Sequence, residues 1–452
     1  MPSALSCRIG SSSCPGVPRS WLVREKTSTT APKHALRSVL ALSDFRRLFA
    51  GVATSQLGDQ FALIATPWLV LHLTGDPLAL GLVLALEGGP RALFMLVGGV
   101  VTDRFSPRMV MFAADIARLV LAALLALAIL GGAVEMWMVY AFALGFGLIA
   151  GFAVPAGNSI VPLVVGKGAL ETGNAVVMGG GQLVGFFGPF AAGVLIGTYS
   201  DGLTGVGLAF AVDAATFGVS AVMLGLMHGG GTMALSCQAA DSEPLLAAVT
   251  RGLAFVWRND AMRVTFEIIA AVNFLFVGPI MVGIPVLAEQ RLPEGALAFG
   301  LLMSGFAGGN LCGYLLAGTA PKPGNRTLRL ILVAVLAGFA AVLAVMGAAA
   351  STWLDFALLT ALGVGNGYIT IVLITSIQAR APREMLGRIM GLFMFAGFGL
   401  VPISQAISGV VSRWDVTLLF AGAAVMTAGV TVWAAAQPVL TSIRADIAPD
   451  AS

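Results

Sequence analysis

Charge is the scarcest property of this 452-residue chain. Only 10% of its residues are charged and 58% are hydrophobic, with a mean hydropathy of +0.93. Soluble domains carry roughly 25% charged residues, so a soluble fold of this length is excluded. Disorder is excluded by the same apolar excess. Cysteine and histidine are scarce too. The four cysteines (Cys7, Cys14, Cys237 and Cys312) and the three histidines show neither disulfide-framework nor zinc spacing. No Gly-x-x-x-x-Gly-Lys-Ser/Thr run is present, so the chain has no P-loop for ATP hydrolysis. No Ser-His-Asp or Cys-His arrangement stands out, and no enzyme is expected. The net charge of +3 suggests no nucleic-acid partner. Strands of an outer-membrane barrel alternate apolar with polar residues, whereas this chain runs apolar in long blocks. A polytopic α-helical membrane protein remains.

Twelve apolar segments follow Phe45, at 47–72, 78–101, 109–131, 136–160, 173–197, 205–227, 264–288, 297–318, 329–349, 353–378, 386–410 and 416–436. Each can cross ~30 Å of hydrocarbon at 1.5 Å per residue. The longest polar interruption, 228–263, divides them into two sets of six. The expected organisation is a disordered cytoplasmic tail (1–44), a six-helix bundle (45–227), a cytoplasmic linker loop (228–263), a second six-helix bundle (264–437) and a cytoplasmic tail (438–452). The first tail is Ser- and Arg-rich with two acids, Glu25 and Asp44. That composition weakly resembles a transit peptide, and it lacks the apolar core of a secretory signal.

The basic residues set the orientation. Of 25, 21 lie in the first tail, in loops on the same side, or at the C-terminus. Arg291 and Arg413 fall on the opposite side, and Arg91 and Arg118 within spans. The positive-inside rule places both termini and the central loop in the cytoplasm.

Ionisable residues inside a bilayer are costly, so each is a functional candidate. Asp59 stands about twelve residues, or ~18 Å, into the first span, and Glu87 and Arg91 lie at similar depth in the second. Glu87 and Arg91 are spaced i, i+4, on one helix face. Two acids and one base cannot pair one-to-one, which leaves a carboxylate suited to carry a proton. Asp59 or Glu87 is the candidate carrier and Arg91 its modulator. Asp115 and Arg118, spaced i, i+3 in the third span, are expected to form a structural or gating pair. Asp213 reads as packing or helix polarity as readily as function, and Asp355, near a helix end, reads as solvated. Asn273, Gln182, Asn310, Asn366 and Gln405 read as interhelical hydrogen-bonding groups. Gly145-x-Gly147-x-x-x-Gly151 misses the dinucleotide spacing and lies in an apolar span.

After the second span comes Gly98-Gly99-Val100-Val101-Thr102-Asp103-Arg104-Phe105-Ser106-Pro107-Arg108. Its Gly99, Asp103, Arg104 and Arg108 match the Gly-x-x-x-Asp-Arg-x-x-x-Arg spacing between helices two and three of the major facilitator superfamily, which the chain resembles from Phe45 onward. Leu57-Gly58-Asp59, Asp115-x-x-Arg118, Pro155 to Pro162 with Asn174, and Pro382-Arg383-Glu384-Met385-Leu386-Gly387-Arg388 resemble its siderophore and macrolide exporter branch. Gly185-x-x-Gly188-Pro189-x-x-Ala192-Gly193 resembles the drug/proton antiporter signature, with Ala192 replacing a Gly and Gly185 one place late. The second-half loop, 318–329, keeps the basic residues of the first but lacks its Asp.

The resemblance implies a major facilitator fold of twelve helices in two bundles. It also implies that Gly99, Asp103, Arg104 and Arg108 gate the cytoplasmic side. The expected function is proton-driven export of a small amphipathic molecule by a monomer in the bacterial plasma membrane, with no cofactor beyond the proton gradient. A nutrient importer or facilitator, or a non-transporting sensor or scaffold, stays open. Substrate-cavity candidates are Phe61, Trp68, Gln182, Asn273, Phe274 and Phe395.

Overall fold

The computed structural model describes residues 32–166, 169–199, 203–228, 245–320, 323–349, 351–380 and 386–441. The first half contains α1 (Pro32–Ala41), α2 (Ser43–Thr74), α3 (Pro77–Arg104), α4 (Pro107–Leu130), α5 (Met136–Val165), α6 (Leu170–Gly197) and α7 (Thr204–Gly225). After α8 (Leu245–Arg258), the second half contains α9 (Asp260–Val272), α10 (Gly278–Gln290), α11 (Ala296–Thr319), α12 (Asn325–Ala348), α13 (Thr352–Arg380), α14 (Leu386–Phe398), α15 (Val401–Trp414) and α16 (Val416–Ala436).

Among the described residues, eleven helical segments are long and apolar enough to cross a membrane, counting α9–α10 and α14–α15 as one each. The twelfth pass is α2. It is long enough at 32 residues, but Ser55, Gln56, Asp59 and Gln60 lower its hydropathy. The chain is an all-α, multi-pass integral membrane protein. Below, the terminal face is the one where α2 begins and α16 ends.

Two segments read as irregular are helical in part. Pro32–Ala41 lies in the expected tail, yet Pro32 occupies the first helical position and Val39 is buried where α1 meets α2 and α6. Within the central linker, Leu245–Arg258 is helical and packs against α9 and α14, with the Trp257 ring 5.5 Å from Phe266. Asn259 accepts a hydrogen bond from the Met262 amide and starts α9 at Asp260, earlier than expected. Residues 229–244 of that linker lie outside the described residues.

Sharp turns set the depth of the charged residues. Gly75, with φ 61°, ends α2 in the left-handed region that glycine tolerates best. Asp76 then caps α3 by accepting from the Leu78 amide at 2.9 Å, and Pro77 occupies the first turn. Asp59 and Arg91 each stand sixteen residues from Gly75, so the hairpin holds them at one level, ~24 Å from its turn.

The two halves repeat a packing scheme. In the first, α3 packs on α5 and α4 on α7; in the second, α11 packs on α13 and α12 on α16. Glycines permit the closest approaches. A Cβ at Gly147 would meet the Glu87 carbonyl, and one at Gly309 the Thr360 carbonyl, each at 2.1 Å. The glycine run set aside as a nucleotide motif is thus a helix seam. In the second half, Asn366 donates to Asn310 Oδ1 across the α11–α13 seam at 2.8 Å, the interhelical role expected of both.

Two second-half passes are broken. Asn273–Val277 forms a π-helical turn between α9 and α10, just before Pro279, which lacks an amide hydrogen. The next-to-last pass breaks between Phe398 and Val401, just before Pro402. Irregular backbone at membrane depth is tolerated where it lines a cavity, and both breaks do so.

Candidate functional site: a charged cavity between the halves

A cavity of about 580 Å³ lies between the halves. α2 to α6 form most of its wall, and Asn273, Val277, Met281, Phe398, Val401, Pro402 and Gln405 close it from the second half. Its lining descends from Thr66 and Pro67 to Val52, Met111 and Val161, near the terminal-face ends of α2, α4 and α5.

Five charged residues line it: Asp59, Glu87, Arg91, Asp115 and Arg118. The expected midplane cluster and the separate Asp115/Arg118 pair therefore share one site. No direct ion pair joins any two of the five. Asp59 is within electrostatic range of Arg118 and Arg91, and Glu87 of Arg91, Asp59 and Arg118.

The Asp115/Arg118 pairing itself is corrected. Asp115 accepts a 2.6 Å hydrogen bond from Ser220 of α7. Arg118 lies over the rings of Phe146 and Phe217, 5.0 and 5.4 Å from their centroids, and its Nε has no hydrogen-bond partner. Those two rings offer the guanidinium a cation–π seat. A hydroxyl on α7 meanwhile engages the carboxylate, so the two interact across space without a direct ion pair.

Of the six cavity candidates, Asn273 lines the cavity, and its Nδ2 donates to the Ile269 carbonyl at 2.9 Å. The other five do not. Phe61 is buried in the first-half core, and Trp68 lies against Gly295. Gln182 is half-buried on α6, outside the lining. Phe274 falls in the π turn, where its carbonyl accepts from Ser404. Phe395 is exposed on α14 and covers Gly399. The aromatic wall comes instead from Phe142, Phe146 and Phe398. Helix facing decides these positions, and the apolar spans carry little periodicity to reveal it.

The gating segment is helical through Arg104, and Ser106, preceding Pro107, leaves the helical region. Gly99, Asp103 and Arg104 occupy the last turns of α3, and their side chains lie outside the described residues. Arg108 donates to the carbonyls of Leu224 and Gly225, both at 2.8 Å. Arg47 donates to the Leu226 carbonyl at 2.8 Å. The carbonyl end of α7 is thus bound to α2 and α4 by two cations, which its dipole favours. Pro382 to Met385 lie outside the described residues, and Leu386 to Arg388 do so in their side chains.

The antiporter-like motif sits on a seam between the halves. α6 packs on α11, and α3 packs on α15. A Cβ at Gly193 would meet the Ala296 carbonyl at 2.9 Å, and one at Gly300 the Pro189 carbonyl at 2.4 Å. The Phe190 amide donates to Ser304 across the same seam at 2.9 Å. Gly188 packs on Gln60 of α2, and Gly185 faces Ala307 of α11. On the second seam, a Cβ at Gly81 would meet the Gln405 carbonyl at 2.6 Å. Both seams lie toward the face opposite the termini. There Asp76 and Arg413 approach to 3.7 Å across the halves, and Arg291 and Asp415 to 3.7 Å within the second. The amide of Thr417 donates to Asp415 at 2.7 Å and, with Arg291, holds this exposed carboxyl below its ordinary value.

Two carboxylates outside the cavity lining are fully buried, and for Asp355 this departs from expectation. Asp355 is not solvated: it is fully buried and neither oxygen has a hydrogen-bond partner. The nearby Thr352 hydroxyl donates to Glu294 instead, at 2.5 Å. Asp213 is likewise fully buried and unpartnered, and it lies against α2 beside Asp59.

Two six-pass halves around a charged mid-depth cavity define a polytopic membrane carrier. A family model described as Major Facilitator Superfamily matches residues 48–404, and the chain belongs to that family. It is a transporter, not an enzyme. The multidrug efflux pump Tap of Mycolicibacterium fortuitum is 25% identical over 369 residues, 80% of this chain and 87% of the relative. The uncharacterized MFS-type transporter YfiS of Bacillus subtilis is 23% identical over 387 residues, 82% and 88% of the two chains. Two solved structures share the fold. The nucleoside transporter NupG matches with a TM-score of 0.66 at 13% identity, over 90% of this chain and all of its own. A bacterial homolog to the human lysosomal transporter Spinster, inward-facing and unoccupied, matches with a TM-score of 0.62 at 14% identity, over 93% and 98%.

Proposed function

We propose that the protein exports a small amphipathic molecule in exchange for protons, by exposing the cavity between its halves to each side of the membrane in turn. The carrying observation is the acid-rich cavity at mid-depth, closed toward the opposite face by the α6–α11 and α3–α15 seams. With the termini in the cytoplasm, as the basic residues favour, this is the conformation that loads substrate from inside. The name of the relative Tap supports efflux. So does the Gly188-Pro189 motif at the seam that must part for release.

The apolar and aromatic wall takes the substrate's body, and the polar groups orient it. Asp59 or Glu87 carries the exchanged proton, with Arg91 modulating its charge. Asp103, Arg104 and Arg108 hold the terminal face closed in the alternate state. The carrier acts as a monomer in the bacterial plasma membrane and uses no cofactor beyond the proton gradient.

Inverted membrane vesicles test this with ethidium as a fluorescent amphipathic probe. An imposed inside-acid gradient drives ethidium uptake by the wild type. Asp59→Asn or Glu87→Gln abolishes that gradient-driven uptake. Unchanged driven uptake in both variants contradicts the reading.

A further inference from the structure

The sequence left Asp213 open between packing, helix polarity and function. It stands at the middle of α7, fully buried, and its two carboxylate oxygens accept no hydrogen bond. The neighbouring Thr216 hydroxyl donates instead to the Asp213 carbonyl at 2.7 Å. Across from it is Gly58 of α2, where a Cβ would stand 2.5 Å from Asp213 Oδ1. Only a glycine lets the two helices close on the carboxyl in this way. The next residue, Asp59, lines the cavity, and Asp213 does not.

The charged groups that act on Asp213 are Asp59 of α2 and Arg118 of α4, both helices packed on α7, and, from farther off, Glu87 of α3. None forms an ion pair with it. The near base, Arg118, is seated on Phe146 and on Phe217, one turn along α7 from Asp213. The remaining acid, Asp115, is engaged by Ser220. A carboxylate buried without donor or counter-ion is tolerated in its neutral form.

We propose that Asp213 is a proton-holding carboxyl of the exchange, a store behind the cavity that substrate does not touch and that communicates with it through Asp59. The inference rests on the proton-exchange reading above. In the transfer, the O–H bond of Asp213 breaks and the proton passes over a water admitted between α2 and α7 to the Asp59 carboxylate, then to water in the cavity; no acceptor stands within hydrogen-bond reach of Asp213 in this conformation. The charge left on Asp213 requires a counter-ion. Arg118 supplies it by leaving the two rings, which ties proton release to a movement between α4, α5 and α7. A store out of the substrate's reach lets proton and substrate be handled without competing for one oxygen.

The test uses the purified full-length protein in proteoliposomes, with ethidium as probe. One assay reads uptake driven by an imposed pH gradient, the other ethidium exchange without a gradient. Asp213→Asn is expected to drop driven uptake to the gradient-free level while exchange continues at the wild-type rate, and Asp213→Glu to retain driven uptake. Driven uptake at the wild-type level in Asp213→Asn overturns this inference and leaves the exchange reading standing. Loss of exchange in both variants also overturns it, assigning Asp213 to packing. A wild type indifferent to the gradient instead strikes the exchange reading itself.

Discussion

At the scale of single residues, the molecule gathers much of its intramembrane charge around one cavity. Asp59, Glu87, Arg91, Asp115 and Arg118 line one cavity, and Asp213 stands behind it. The close approach of α2 and α7 beside them depends on Gly58. A Cβ there would stand 2.1 Å from Thr216 Oγ1 and 3.2 Å from Asp213 Cα. Overpacking of this kind costs about 1–3 kcal/mol. Gly58→Ala should therefore lower the melting temperature of the detergent-purified protein, whereas Gly89→Ala, with open space around its position, should leave it unchanged. The depths of Asp59, Glu87 and Arg91 were legible in the sequence, because helix rise converts residue number into height. The hydrogen bond of Asp115 to Ser220 and the seat of Arg118 on two rings were not. Both depend on partners more than a turn away or on other helices, and no spacing rule reaches them. Phe142 and Phe146 were missed as cavity walls for the same reason.

At the scale of elements, the seams between halves are built from glycine. Gly193 meets Gly300 between α6 and α11, and Gly81 meets Gly409 between α3 and α15. These contacts hold the face opposite the termini closed with backbone in near contact. A valine at Gly300 would be driven into the Pro189 carbonyl. Gly300→Val should weaken the closed seam by about 1–3 kcal/mol, a shift of roughly 5- to 150-fold in favour of separated helices. Spin labels placed on Thr198 and Leu297 would report it as a longer distance population. The Gly188-Pro189 motif was visible in the sequence, but its partner was not, since glycines at suitable spacing occur on most of these helices. The breaks in spans seven and eleven fall just before Pro279 and Pro402, but proline also stands inside unbroken helices such as α2 and α6, so proline alone did not mark them. That both face the cavity follows from the assembled bundle and from the requirement that irregular backbone avoid lipid.

For the whole molecule, hydropathy and the polar interval at 228–263 were enough to read two six-pass halves. The face that stands closed was not readable, because a carrier that alternates must fit both arrangements to one sequence. The central claim is that the charged cavity is the transport site and is reached here from the terminal face. Asn158, exposed on the cavity wall, tests it most directly. Asn158→Cys would be placed in a chain whose Cys7, Cys14, Cys237 and Cys312 are replaced by serine. In inverted vesicles, where the terminal face points outward, a membrane-impermeant maleimide should label this cysteine and block ethidium uptake. Labelling only from the opposite face, or labelling that leaves uptake intact, would contradict the account.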